Sequence, residues 1–289
     1  MTREGRFDRR AFLSSLTAGL ATARYASARG QPPLRIGLTP VFLDNEWQVL
    51  ESLRAHVVTV TGQHVEFVQR RTYQEVVALL LLGELDTAWL CGYPLMQRPD
   101  RLTALAIPVW RGRPLYQAYI IAAENRDAET LSDLKGDIHA YSDPDSNSGH
   151  LVTVAELLAQ NERPEAFFDT SFFTFGHRNV VRAVAQRLAG SGSVDGYIYE
   201  ALSTAEPDLV DRTRVIWRSD WHGFPPVVIA TERKDSMATA ALSRALFEIE
   251  ATEPGREALR QLQLDGFAHP RPDSFDSIAA LMARVADRG

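Results

Sequence analysis

Apolar and polar positions follow two alternating rhythms from the first third of the chain onward. After Pro32-Pro33, the run Leu34-Arg35-Ile36-Gly37-Leu38 alternates with a period of two, which predicts a strand. Residues 46–61 then place Trp47, Leu50, Leu53, Val57 and Val58 at helical spacing. The couple repeats: 64–68 reads as a strand, 73–82 as a helix, and 85–90 as a third strand bounded by Gly83 and Gly92. Strands alternating with helices predict an α/β fold with a mostly parallel sheet covered on both faces.

After Arg111-Gly112-Arg113-Pro114 an extended apolar run covers 116–123, and the pattern starts afresh. Strands are expected at 138–141, 171–175, 194–199, 214–217 and 227–231, with helices at 149–160 and 179–188 between them. Beyond 231 only helical patterns remain, at 237–249, 255–262 and 275–286. This order predicts two lobes: residues 29–115 and 222–289 form the first, and 116–221 a second inserted into it. The two crossings, near Arg113 and near Arg218, would make a two-segment hinge on which the lobes close.

Composition narrows the function classes. With 289 residues, 45% hydrophobic and 24% charged, the chain is long enough for two cores. A formal net charge of −6 supplies no positive field to hold nucleic acid or anionic lipid. Arg3, Arg6, Arg9 and Arg10 precede an apolar run over 11–23 that ends in Ala26-Ser27-Ala28, the layout of an export signal over 1–28. Arg9-Arg10 followed by Ala11-Phe12-Leu13 resembles a twin-arginine signal, the alternative being a Sec signal with two chance arginines. The run is too short, and with Ser14, Ser15, Thr17 and Gly19 too polar, for a permanent membrane span. A periplasmic protein without stable membrane insertion is therefore expected. The single cysteine, Cys91, excludes an internal disulfide. Seven histidines show no ligand spacing, so neither a metal site nor a cofactor is expected.

The segment with most chemistry is Ser142-Asp143-Pro144-Asp145-Ser146-Asn147-Ser148-Gly149-His150, between a predicted strand and a predicted helix. A helix start leaves backbone N–H groups unpaired, its dipole favours negative charge, and hydroxyls add donors, so this is a candidate anion cradle. The same residues also suit a capping turn in which Ser146 or Ser148 only satisfies the helix end.

Five segments in order, 34–40, 83–94, 143–149, 175–177 and 194–199, resemble landmarks of the PhnD-like periplasmic binding proteins for phosphate, phosphite and phosphonate, which have the type II periplasmic binding protein fold. The Asp143-Pro-Asp-Ser-Asn-Ser-Gly149 loop is the most specific of them. The resemblance implies a solute-binding protein that closes on a small phosphorus oxyanion and docks on an ABC transporter permease. It carries ligand contacts onto Ser146, Asn147, Ser148 and Gly149, onto His177, and onto Tyr93 as an aromatic closing from the first lobe. Tyr199 lies in the segment where phosphonate-binding members hold an aminoalkyl group, and Glu200 fills the place of one of their carboxylates. The second such place reads Asp220-Trp-His-Gly-Phe-Pro-Pro226, more aromatic than acidic, which points to a smaller or apolar-ended ligand. Cys91 sits at a strand end where α/β sheets bind ligands. Some relatives are arsenite sensors beside a histidine kinase, and a thiol suits soft arsenic, so a sensor subunit using Cys91 is the alternative. No Gly-x-Ser-x-Gly elbow, Walker loop or dinucleotide Gly-x-Gly-x-x-Gly is present, and an enzyme is not expected.

Overall fold

The computed structural model of the chain describes residues 32–39 and 47–288. The export signal expected over 1–28, Pro40 of the opening segment and Glu46 at the head of the first predicted helix lie outside the described residues. Strands β1 (Leu34–Leu38), β2 (Val65–Gln69), β3 (Thr87–Trp89), β4 (Leu102–Val109), β12 (Val227–Ala230) and β13 (Gly266–Ala268) form one sheet in the order β13-β4-β12-β3-β1-β2. Strands β6 (Ala118–Ala123), β7 (Ile138–Tyr141), β8 (Thr170–Phe173), β9 (Ser191–Asp195) and β10 (Thr213–Arg218) form a second, in the order β10-β6-β9-β7-β8.

Both sheets are mixed; β13 runs against β4, and the other two reversed strands have a common origin. In the first, β1 runs parallel to β2 and β3, whereas β12 runs against β3 and β4. In the second, β7 runs parallel to β8 and β9, whereas β6 runs against β9 and β10. Strands β6 and β12 are the first to enter a sheet after each crossing, so they arrive without the helical crossover that makes neighbours parallel. The crossings pair with each other: β5 (Leu115–Tyr116) lies antiparallel to β11 (His222–Gly223), with Tyr116 opposite His222.

Local sequence explains where the site-bearing helices begin. Helix α1 (Trp47–Thr61) covers the first sheet. Helix α2 (Tyr73–Leu81) opens with a capping box in which Thr72 Oγ1 accepts from the Glu75 N–H at 3.2 Å and Glu75 Oε2 accepts from the Thr72 N–H at 3.0 Å. Its Tyr73, Val76, Val77 and Leu80, all buried, recur at helical spacing. Helix α3 (Gly92–Met96) follows β3 directly. The helix expected from 149 opens earlier, with a π turn, Asn147–Leu151, that runs into α4 (Val152–Ala159). Helix α5 (His177–Ala185) starts two residues before the expected 179, which places His177 in the first turn.

Three expectations are corrected. The strand expected over 194–199 ends at Asp195 and becomes helix α6 (Gly196–Ala205), because the Asp195 carboxylate caps the N–H groups of Tyr197 and Ile198. Strand β4 was absent from the pattern because its burial does not alternate. Strand β13 breaks the expectation of helices alone beyond 231; at three residues it is too short to show a period. Helices α7 (Met237–Phe247) and α8 (Glu253–Leu262) pack on α1, and the last helix, α9 (Asp276–Arg288), packs on both α3 and α4. Arg288 Nη1 donates to the Leu158 carbonyl at 2.8 Å, so α9 ties elements of the two sheets together.

Candidate functional site

The residues of interest sit at the C-terminal ends of the parallel strands, the edge of an α/β sheet where strand-to-helix turns converge. Tyr73 follows β2 and Cys91 follows β3, while the 142–149 loop follows β7, His177 follows β8 and Asp195 ends β9. Contacts cross directly between the two groups. The Tyr73 N–H donates to Asp143 Oδ2 at 3.4 Å, Gln97 Nε2 donates to Asp145 Oδ1 at 3.3 Å, and the Asn147 N–H donates to Cys91 Sγ at 3.1 Å. The hinge strand contributes Tyr116, whose hydroxyl accepts from Asn147 Nδ2 at 3.0 Å.

Within the loop, capping and cradle functions fall on different residues. Asp143 Oδ1 accepts from the Asp145 N–H at 2.8 Å and the Asp143 carbonyl accepts from the Ser146 N–H at 3.0 Å, which curls the chain into the helix. Ser146 Oγ accepts from the Gly149 N–H at 3.0 Å, so Ser146 is the cap. Ser148 Oγ faces the Asp195 carboxyl and the Tyr116 hydroxyl yet makes no hydrogen bond of ordinary length. Ser142 Oγ, Asn147 Oδ1 and Tyr73 Oη are likewise buried without a protein partner. Buried polar groups of this kind are uncommon in folded proteins, and a cluster of them at a helix start suits a polar ligand with several acceptors. Gly149 is needed for close approach: a Cβ there would lie 1.8 Å from Ser142 Oγ and 2.6 Å from Ser142 Cβ.

Burial sets the ionisation of the cluster. It pushes the Cys91 thiol up to about 11, although the N–H groups of Tyr93 and Asn147 face the sulfur and work the other way. Tyr73 and Tyr116 are raised well above the ordinary phenol range, first by desolvation and then by Cys91. His177, 1% exposed, is held down to about 3 by desolvation and is neutral at physiological pH. Its Nδ1 accepts from the Asp195 N–H at 3.1 Å, which leaves the ring proton on Nε2 as its donor. Phe175, two residues earlier, holds a left-handed φ of 54°, a conformation a bulky residue rarely adopts; the Arg71 guanidinium stacks over its ring at 4.8 Å. Asp195 is fully buried, and desolvation raises its carboxyl to about 7 against the N–H bonds from Ile198 and Tyr197.

Of the residues singled out from sequence, Cys91, Ser146, Asn147, Ser148, Gly149 and His177 come together here. Tyr93 contributes its N–H to the sulfur, while its half-buried side chain packs against the core. Tyr199 and Glu200 belong to another network. Tyr199 Oη lies 3.0 Å from Thr213 Oγ1, and Glu200 accepts from Tyr119 Oη at 3.0 Å and pairs with Arg111 at 3.2 Å. Sequence reasoning placed Ser142 in the candidate cradle segment without assigning it a ligand contact, and missed Tyr73, Tyr116 and Asp195. For Tyr73 a signal existed: Thr72-x-x-Glu75 after a strand marks a helix start at the ligand edge.

An apolar cavity of about 60 Å³ lies elsewhere, behind the first sheet among Leu38, Val57, Phe67, Trp89, Leu246 and Phe267. Its polar lining groups are already engaged: His56 bonds Thr252 Oγ1 and the Ala245 carbonyl, each at 2.7 Å, and Thr87 bonds the Val228 carbonyl at 2.8 Å. It offers no donor to an anion.

Comparison with known proteins agrees with this geometry. Residues 36–275 match the family described as ABC transporter, phosphonate, periplasmic substrate-binding protein. The chain is 25% identical over 226 residues to the phosphate-import protein PhnD of Mycolicibacterium smegmatis, covering 73% of this chain and 70% of that one. Among solved structures, the binding protein component of an ABC phosphonate transporter from Pseudomonas aeruginosa superposes with a TM-score of 0.80 at 22% identity, covering 89% of this chain and 87% of that one. PhnD1 from Prochlorococcus marinus in complex with methylphosphonate gives 0.75 at 14% identity, covering 88% and 98%. The fold is thus the two-lobed type II periplasmic binding protein fold, and no helix among the described residues is long and apolar enough to cross a membrane. The chain belongs to the family of periplasmic substrate-binding proteins of phosphonate ABC transporters.

Proposed function

We propose that the protein captures a small phosphorus oxyanion, a phosphonate, phosphite or phosphate, between lobes formed by residues 29–115 with 222–289 and by residues 116–221, and presents it to an ABC transporter permease. The observation that carries this reading is the set of unpartnered buried groups, Ser142 Oγ, Ser148 Oγ and Asn147 Oδ1 around the helix start and Tyr73 Oη in the residue whose N–H bonds Asp143 of the same loop at 3.4 Å. Ser146 and Gly149 shape the cradle, His177 donates from Nε2, and Tyr93 and Cys91 line its first-lobe side. Tyr199 and Glu200 act from the periphery. The work is capture and release rather than catalysis: the cluster holds neutral donors, and its thiol is kept protonated. Residues 1–28 direct export to the periplasm, by the twin-arginine route. In a thermal-shift screen of the exported protein against phosphate, phosphite, methylphosphonate, aminoethylphosphonate and sulfate, a ligand at a hundredfold its Kd adds about 2.7 kcal/mol. A shift with a phosphorus oxyanion that is lost in Ser148→Ala supports the reading; silence across the panel sinks it.

A second reading rests on the position of Cys91 Sγ inside the same cluster, 3.1 Å from the Asn147 nitrogen. The protein would then be a sensor subunit reporting arsenite to a histidine kinase, the thiol being the soft ligand. A thermal shift with arsenite alone, abolished in Cys91→Ser, selects this reading over transport.

A further inference from the structure

Arg71 and Phe175 meet across the cleft, with the guanidinium 4.8 Å from the ring centroid. Arg71 lies two residues beyond β2 and Phe175 two residues beyond β8. Both are edge strands: β2 stands three places from β12 in the first sheet, and β8 three places from β6 in the second. The crossing strands β5 and β11 lead into β6 and β12. The contact therefore sits on the side of the cleft away from the crossings, roughly 14 Å out at the usual strand spacing. Groups that far from a hinge move farthest for a given rotation, so this contact is the first to break as the lobes part.

The ring is held from within its own sheet. The Thr174 N–H donates to the Tyr141 carbonyl at 2.9 Å, and its hydroxyl proton is shared between the Tyr141 and Gly176 carbonyls, at 3.1 and 2.9 Å. Asn179 Nδ2 donates to the Thr174 carbonyl at 3.2 Å. These bonds pin both neighbours of Phe175 and hold it at its left-handed φ of 54°. Every partner belongs to the second sheet or to α5, so the turn keeps its shape when the lobes part, and Arg71 returns to a ring already in place. A face fixed in advance spares the cost of ordering it on closure. The pair also stands in the same register to the site on both sides. Two places after Arg71 comes Tyr73, whose buried hydroxyl has no protein partner; two places after Phe175 comes His177, whose Nδ1 accepts from the Asp195 N–H and leaves its proton on Nε2. Resting on the oxyanion reading above, we infer that Arg71 on Phe175 is the latch of the cleft: the contact forms on closure, positions Tyr73 and His177 on one bound anion, and sets how slowly that anion leaves rather than how fast it arrives. Arg71 and Phe175 are positioning residues and act without touching the ligand.

Stopped-flow tryptophan fluorescence of the exported protein, with inorganic phosphate and with methylphosphonate, measures association and dissociation separately. Arg71→Gln and Phe175→Leu should each speed dissociation about twofold to fivefold, the factor one exposed cation–π contact carries, and leave association unchanged. The double variant should release no faster than either single one, because both changes remove the same contact. Phe175→Tyr keeps an aromatic face and should release at the wild-type rate. Leu and Tyr both fill the position, so a difference between them reads the face of the ring rather than its bulk. Wild-type dissociation in both single variants, effects that multiply in the double variant, release from Phe175→Tyr as fast as from Phe175→Leu, or a change that falls on association alone overturns the inference and leaves the oxyanion reading standing. Failure of both anions to bind the wild-type protein overturns both.

Discussion

The backbone N–H of Asn147 donates to Sγ of Cys91 at 3.1 Å, and the two residues belong to different sheets. Cys91 stands between β3 and α3 in the six-stranded sheet, whereas Asn147 opens the helix that follows β7 in the five-stranded one. The bond spans the cleft, so an N–H of the helix start is held by sulfur. Both residues are almost fully buried, at 2% and 0% exposure. A thiol in that position is a measurable marker of cleft closure.

Cys91 should be unreactive in the folded protein. Burial raises the thiol to about 11, and the attacking species in thiol chemistry is the thiolate. At pH 7.5 an aromatic disulfide reagent should modify it roughly a hundredfold or more slowly than free cysteine, and saturating ligand should slow it further. Absorbance of the released chromophore measures both rates. Fast labelling at neutral pH, unaffected by ligand, would contradict this placement of the thiol.

Removing Tyr73 Oη should separate binding from stability. The hydroxyl is buried with no protein partner, so Tyr73→Phe deletes a desolvated group without breaking a hydrogen bond. Urea unfolding should show stability unchanged or raised by about 1 kcal/mol. Affinity for the oxyanion should fall roughly tenfold to a hundredfold in the same protein. A large loss of stability would mean that the hydroxyl has a structural partner.

What the sequence disclosed follows physical rules that can be named. Period-two and helical runs marked β1, α1, β2 and α2 because their apolar residues recur at strand or helix spacing, and the serine loop stood out because its residue types have few other uses at a strand-to-helix junction. Strand β4 stayed hidden because several consecutive residues are buried, which erases the period. Asp195 was hidden by a misjudged boundary: Tyr197, Ile198 and Tyr199 favour strands, and the cap that turns them into helix depends on a side chain reaching two N–H groups. Tyr73 and Tyr116 reach the site only through the pairing of distant segments, which no local pattern encodes.

Gly149→Ala should damage the cradle from within. The added Cβ would overlap Ser142 Oγ at 1.8 Å and Ser142 Cβ at 2.6 Å, and Ser142 is held in place by its N–H bond to the Gly149 carbonyl at 3.1 Å. Overpacking of this kind costs about 1–3 kcal/mol, and it displaces the turn that aims Ser148. The expected result is a lower urea midpoint together with loss of oxyanion binding. Ser142→Gly in the same chain should recover part of the stability, because it removes the two nearest atoms that the new methyl meets and leaves Ser146 Oγ, at 3.0 Å, as the next. Full binding by Gly149→Ala alone would show that the loop has room to spare.

The histidines predict how stability responds to acid, and His139 isolates the effect. It is 0% exposed, bonded to Ser191 Oγ and Ser193 Oγ at 2.8 Å each, and stacked on Phe168 with ring centroids 4.1 Å apart. Desolvation lowers it to about 3, while in the unfolded chain it titrates near the ordinary value of 6.5. Between those values the unfolded state binds a proton that the folded state does not, so stability is lost as pH falls below about 6.5, by about 2–3 kcal/mol at pH 4.5 from this group alone. Asp195, raised to about 7, and Asp143, also raised, act in the opposite direction over the same window. The comparison must therefore be between proteins rather than between pH values. His139→Gln should be less stable than wild type at pH 7, and the gap should narrow or reverse at pH 4.5, because the variant has no imidazole to protonate on unfolding. Urea titrations of both proteins at the two pH values measure that difference, and a gap that stays constant or widens in acid would show that His139 is not held neutral in the fold.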